Sequence, residues 1–257
     1  MPPVENPFEI LASTDSTNNY AMGMIRDGSA KHGAAWFSHE QTQGKGRRGK
    51  QWNAEKGKNI MMSIAVNTGF LTVYQQFHLV VAATLGTISF FRRYAGDDCT
   101  IKWPNDIFWN DRKAGGILVE NVIKGQTWQW AVIGIGININ QTEFNLNSVF
   151  KPVSLKQVTG KDFDVIELAR DLHASVIEKY DELLRDGIEK MLAEYNGCLY
   201  RLGKKVLLKK NTAVFETVVK GVSPEGKLIT ADTLERQFDF DEVNWLQHKE
   251  GDVSPGK

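Results

Sequence analysis

Between residues 99 and 121 three apolar runs, Cys99 to Trp103, Ile107 to Trp109 and Gly116 to Asn121, are parted by Pro104 and by the polar stretch Asn110 to Lys113. Proline lacks a backbone donor and restricts the residue before it, so the first run must end at Pro104. The chain is thereby committed to a βββ meander, with Asn105 and Asp106 on the first turn and Lys113 where the meander reverses. A fixed turn, a carboxylate and an isolated lysine fall within one hairpin's length, where a cation can face a ligand. Thr127 to Asn140 is strand-rich too, and Gly134 and Gly136 are expected to flatten one edge so that a ligand or another backbone approaches closely.

The remaining pattern predicts an α+β protein. Asp15 or Ser16 caps a helix with apolar positions Tyr20, Ala21, Met24 and Ile25, stopped by Gly28. Ala34 to Ser38 reads as a short strand, and residues 39–58 as a polar, glycine-rich loop. Loops longer than about 12 to 15 residues are usually functional or disordered. Asn59 to Val66 alternates like a strand, and Tyr74 to Tyr94 is a largely apolar helix stopped by Gly96. Asp164 to Arg185 carries Ile166, Leu168, Ala169, Leu172, Val176 and Tyr180 at helical spacing. A further helix, Ile188 to Tyr195, brings the larger domain to its end at Gly197.

From Lys204 onward the texture changes to short β runs, Val206 to Leu208, Val214 to Gly221, Lys227 to Thr230 and Arg236 to Phe240, with turns at Asn211, Pro224 to Gly226 and Asp232. They fit a small barrel of about 45 residues, a size marginal alone, which should therefore pack on the larger domain. The expected domains are 8–197 and 198–248, with 249–257 a frayed tail.

Composition narrows the function classes. Lys plus Arg and Asp plus Glu are equal at 31 each in a chain of 257 residues, so no global field draws it to nucleic acid or an anionic membrane. The two cysteines, Cys99 and Cys198, have no CxxC partner, which fits buried thiols in a reduced, cytoplasmic setting. The N-terminus has no signal-peptide pattern, and no stretch reaches the roughly 18 apolar residues of a membrane helix. The five histidines are scattered and no HExxH or paired CxxC occurs, so no protein-bound metal is expected. The absence of GxSxG removes support for a serine hydrolase.

Gly44-Lys45-Gly46-Arg47-Arg48-Gly49 gathers three cations and three glycines. Glycine lets backbone amides approach an anion, and arginine matches phosphate or carboxylate. Phosphate binding, a nucleic-acid patch and a solvated basic turn all fit this string, but a P-loop and a dinucleotide fold do not. Trp52 either shields a ligand or packs its loop. Ser16-Thr17-Asn18 offers donors and acceptors at a helix N-terminus, one of which capping explains; Gln41 is similarly ambiguous. An Asp106–Lys113 surface ion pair would contribute only about 0 to 1 kcal/mol and would not require the rigid Trp-Pro frame.

In order and spacing, Ser16-Thr17-Asn18, Gln41, Gly44 to Gly49, Trp52, Lys102 to Asp106, Lys113-Ala-Gly-Gly-Ile-Leu118 and Gly134-Ile-Gly-Ile-Asn138 resemble the biotin protein ligase family. The resemblance covers residues 8–197, and the β-rich remainder looks like the family's C-terminal SH3-like domain. It implies the class II aminoacyl-tRNA-synthetase-like fold of the biotin and lipoate ligases, with a mainly antiparallel sheet. The Ser-Thr-Asn motif begins at residue 16, so the monofunctional type without a DNA-binding domain is expected. Implied too are ATP with magnesium and biotin as substrates, biotinyl-5′-AMP as intermediate, and a lysine of a biotin carboxyl carrier domain as acceptor. No DNA or membrane partner is implied, and both monomers and homodimers occur in the family.

Carried onto this chain, the resemblance assigns catalysis to Lys113, Asp106, Arg47 and Arg48. Biotin binding falls to Ser16, Thr17, Asn18, Gln41, Lys45, Gly46, Arg47, Lys113 and Gly116, whose smallness would admit the biotin ring. The adenylate falls to Arg48, Trp52, Asn105 and Asn138. Lys45 stands where arginine is commoner, keeping charge but losing bidentate geometry. The alternatives are a lipoate ligase with the same adenylation chemistry and an RNA-binding module, the latter disfavoured by zero net charge and by the lack of aromatics interleaved around Arg47 and Arg48.

Overall fold

The computed structural model describes residues 7–125, 127–144 and 149–246, the side chain of Arg48 excepted. Seven strands form the main sheet: β1 (Phe8–Leu11), β2 (Ala35–Ser38), β3 (Asn59–Asn67), β4 (Cys99–Lys102), β5 (Asp106–Trp109), β6 (Arg112–Lys124) and β7 (Thr127–Asn138). Their order is β1-β2-β3-β7-β6-β5-β4, antiparallel throughout except for the parallel pair β1–β2. The proline-bounded segment is the expected meander. Two details differ. Asp106 opens β5 opposite Lys102 rather than lying on the turn, and Lys113 is the second residue of β6, past the reversal at Asn110 and Asp111. Strand β7 is interior, between β3 and β6, so Gly134 and Gly136 open the face of the sheet rather than an edge.

Alternation along β3 sends Ile60, Met62, Ile64 and Val66 into the principal core, beneath α2 (Gln76–Ala95) and α4 (Val165–Asp186). The opposite face carries α1 (Thr17–Arg26), whose Ala21 packs on Trp36, Ala65 and Val132 in a smaller cluster. Short helices α3 (Leu155–Thr159) and α5 (Glu189–Gly197) complete this unit. The first of these, like β1, is not announced by periodicity.

The chain then pairs along the edge of β4: Ile101 N donates to Cys198 O and Tyr200 N to Ile101 O, both at 2.8 Å. A second antiparallel sheet follows, from β8 (Lys205–Lys210), β9 (Ala213–Val222), β10 (Leu228–Ala231), β11 (Glu235–Phe238) and β12 (Asn244–Leu246), in the order β11-β10-β9-β8-β12. It packs on the larger unit as expected for its size. Trp103 Nε1 donates to Gly226 O at 2.9 Å, and Phe240 lies against Phe77 and Trp103. The expected boundary at 248 and the tail 249–257 lie outside the described residues.

Helices α2 and α4 touch at Gly86, where a Cβ would stand 2.7 Å from Val176 Cα and 2.8 Å from Ser175 O. Alanine would gain about 1 kcal/mol of helix propensity, but overpacking against backbone costs typically 1 to 3 kcal/mol. Gly86→Ala should therefore lower the urea midpoint at unchanged slope. A raised midpoint would show that the helices separate freely.

Candidate active site

A cavity of about 1310 Å³ opens on the α1 face of the main sheet, walled by the loop from β2 to β3 and by the second sheet. Its floor is backbone. A Cβ on Gly134 would meet Asn18 Oδ1 at 2.1 Å, and one on Gly136 the Trp52 ring at 2.6 Å. Across the register, Gly116 faces Gly136, and its Cβ would lie 2.9 Å from Asp106 Oδ1. These glycines let polar groups and one indole rest directly on the sheet. A second cavity, of about 810 Å³, lies on the outer side of α4 and contains none of the residues singled out above.

At one end the helix N-terminus is woven into a polar cluster. Thr17 N and Oγ1 donate to Gln41 Oε1 at 2.7 and 3.1 Å, and Ser63 Oγ lies 2.7 Å from Thr17 Oγ1 and 2.5 Å from Asn18 Oδ1. Asn18 Nδ2 donates to Glu120 at 2.6 Å, and Lys45 reaches the same carboxylate at 3.3 Å. Ser16 occupies the N-cap position but makes no side-chain capping bond, and it is buried at the cavity lining. Ser63 and Glu120 organise this cluster. Their positions within strands give only one sequence signal, that polar residues interrupt apolar runs.

Toward the other end, Lys113 Nζ donates to Asp106 Oδ1 at 2.6 Å. The Lys113 backbone is fixed from the far side, its N–H donating to Lys151 O and its carbonyl accepting from Val153 N, both at 2.9 Å. Burial raises the Asp106 carboxyl, but Lys113 and Lys102 outweigh it and hold the group below its ordinary 3.8. Asp106 is therefore ionised at neutral pH. Asn105 is a brace, its side-chain amide donating to Ile117 O while its backbone carbonyl accepts from Ile117 N. Asn138 Nδ2 donates to Val153 O at 3.1 Å. Both asparagines also line the cavity.

The glycine-arginine loop covers this end, with a 3-10 turn at Arg47–Gly49. Gly44 passes beneath Trp52, whose N–H donates to Gly44 O at 2.9 Å, and the Trp52 indole N–H is buried without a partner. Gly46 and Arg47 line the cavity, whereas the Arg48 side chain lies outside the described residues. All the other residues assigned from sequence to catalysis, biotin or the adenylate line this one cavity. Sequence reasoning missed the contribution of the second sheet, from which Lys209, Asn211, Asp241 and Trp245 line the same space.

It also gave Lys102 no role. The Lys102 ammonium stands 5.2 to 5.8 Å from the ring centres of Phe108, Phe150 and Trp245, a cage closed by both sheets. Burial pushes its pKa down to about 8, with Asp106 opposing the shift and Lys113 adding to it.

A model of the biotin/lipoate A/B protein ligase family matches residues 10–138. The chain is 30% identical over 242 residues to the biotin–acetyl-CoA-carboxylase ligase of Paracoccus denitrificans, an alignment spanning 89% of this chain and 95% of that one. It is 24% identical over 223 residues to the bifunctional ligase/repressor of Bacillus subtilis, spanning 86% and 67%. Its fold matches that of the Aquifex aeolicus biotin protein ligase solved with biotin and ATP, at TM-score 0.79 and 21% identity, covering 94% and 99% of the two chains.

A lysine whose folded pKa lies near 8 and whose ordinary value is 10.5 is protonated in the unfolded chain across that interval. Stability then rises with pH between the two values. Relative to Lys102→Met, the wild-type protein should gain up to about 3 kcal/mol in urea denaturation between pH 7 and pH 10. A difference independent of pH would make Lys102 an ordinary solvated lysine.

Proposed function

From a chain that belongs to the biotin/lipoate A/B protein ligase family, we infer a biotin protein ligase that activates biotin with ATP and transfers it to a lysine of a biotin carboxyl carrier domain. The observation that carries the reading is a single cavity holding a hydrogen-bonding cluster at one end and the Lys113–Asp106 pair beneath a glycine-arginine loop at the other. Biotin has the same polarity: a ureido ring at one end and a carboxylate at the other.

Ser16, Thr17, Asn18 and Gln41 are the partners proposed for the ureido group, which would cost about 1 to 3 kcal/mol per group if buried unpaired. The carboxylate then points toward Lys113. In the first step a carboxylate oxygen bonds to the α-phosphorus and pyrophosphate leaves. Two anions must meet, so cations are required where charge develops, and Lys113 and Arg47 line the cavity there. Lys113 spends one of its three donors on Asp106 and keeps two for substrate. Holding both reactants in place can supply roughly 7 to 11 kcal/mol of the barrier.

Trp52 on Gly136, with Asn105 and Asn138 nearby, is proposed to serve the nucleotide. Magnesium is proposed to enter with the ATP whose phosphates it accompanies. In the second step the carrier lysine amine attacks the acyl carbon and AMP leaves. A carboxylate held below 3.8 is a weak acceptor for a lysine proton near pKa 10.4, which supports an orienting role for Asp106 over that of a general base.

The relatives named as acetyl-CoA-carboxylase ligases support the biotin carrier of a carboxylase as acceptor. Among the described residues no helix is long and apolar enough to cross a membrane.

Incubation with labelled biotin, magnesium ATP and a carrier domain should place label on the carrier, and lipoate should substitute poorly for biotin in adenylate formation. No transfer, or a preference for lipoate, would overturn the assignment. Lys113→Ala should lower biotin-dependent pyrophosphate release by about 10² to 10³ while leaving the circular dichroism spectrum near wild type. Near-normal release would remove Lys113 from the chemistry.

A further inference from the structure

Arg47 belongs by sequence to the glycine-arginine loop, yet its partners lie in the second sheet's unit. Its Nη2 donates to Asp241 Oδ1 at 2.9 Å, and its guanidinium lies over the Phe240 ring at 5.4 Å from the centre. Neither partner is loosely placed. Phe240 is wedged against Phe77 and Trp103, with ring centres 5.7 and 5.5 Å apart. Asp241 has φ +74, a left-handed conformation that aspartate tolerates better than most residues. The turn that imposes it is tied by Glu242 N to Asp239 O and by Asp239 N to the Glu242 carboxylate. A carboxylate is thus held by a constrained turn, at the rim of the active-site cavity, on a residue 194 positions away in the chain from the cation it binds.

An arginine carries five N–H donors in a rigid plane, so fixing one of them orients the rest. We propose that Asp241 is a positioning residue for Arg47: it anchors the glycine-arginine loop to the C-terminal unit and aims the remaining guanidinium donors at the phosphates of ATP. This rests on the reading of Arg47 as a phosphate-facing cation in a biotin ligase. It makes the C-terminal unit part of the active site, because a cation of the first step takes its place from that unit.

The test uses the full chain with Asp241→Asn, which keeps a residue suited to positive φ and removes the charge. Asp241→Gly relieves the backbone instead and guards against a folding defect of the first variant. In both, KM for ATP should rise about tenfold or more, by a larger factor than KM for biotin. Trypsin should cut the substrate-free loop at residues 45–50 faster than in wild type. In an Arg47→Ala background, Asp241→Asn should raise KM for ATP by a smaller factor than it does in the wild-type protein, because the Arg47 part of its effect is already lost. Unchanged KM for ATP, or additive losses in the double variant, would overturn the proposal. If the wild-type protein fails to adenylate biotin, the functional reading falls, and loop cleavage still decides the anchor: equal rates in wild type and Asp241→Asn would refute it.

Discussion

The pairing of β6 with β7 places Gly116 opposite Gly136 and Leu118 opposite Gly134, on the face that looks away from the principal core. Because a strand alternates its side chains, the same two strands send Ile117, Ile135 and Ile137 into that core. One face is therefore packed with isoleucine while the other is stripped to backbone, and a shift of register by one residue would exchange them. Everything in the cavity relies on that arrangement. Asn18 lies on Gly134, Trp52 on Gly136, and Asp106 reaches Lys113 across Gly116.

The second requirement is that two units stay docked. Trp103 directly follows the first strand of the meander and donates its indole N–H to Gly226 O, where φ is +91 and a Cβ would strike Phe77 and Phe240. The residue that follows the β4 strand thus serves as the joint, and the residue before it, Lys102, is enclosed by Phe108 of the main sheet and Trp245 of the second. The motif Lys-Trp-Pro-Asn-Asp is consequently divided in its duties. Trp103 fastens the units, Asn105 braces β6, and Asp106 meets the site lysine.

Much of this was legible from sequence because the elements are long and periodic. Helices α1, α2 and α4, strand β3 and the meander all follow from spacing. What escaped was short or relational. The parallel strand β1 has four residues and is recognised only by its partner β2, and β12 has three. Nothing in the order of residues says that β7 is flanked on both sides, so its glycines were expected at an edge. The exact place of Lys113 depends on a bulge after Ile107, which shifts the β5–β6 register by one. The site residues found from sequence lie in motifs compact enough to see, whereas Ser63 and Glu120 are single polar residues in strands. Asp241 and Trp245 reach the cavity only through docking.

The glycine floor limits how such a site can change over generations. A wall built of side chains can be retuned by trading one for another, each exchange altering shape and polarity by small steps. A floor of bare backbone offers no such gradation, because every substitution at Gly134 or Gly136 adds atoms where Asn18 and Trp52 already lie. Divergence toward a new small molecule must therefore proceed from the rim, through the loop and the second sheet, over a base that close packing holds fixed.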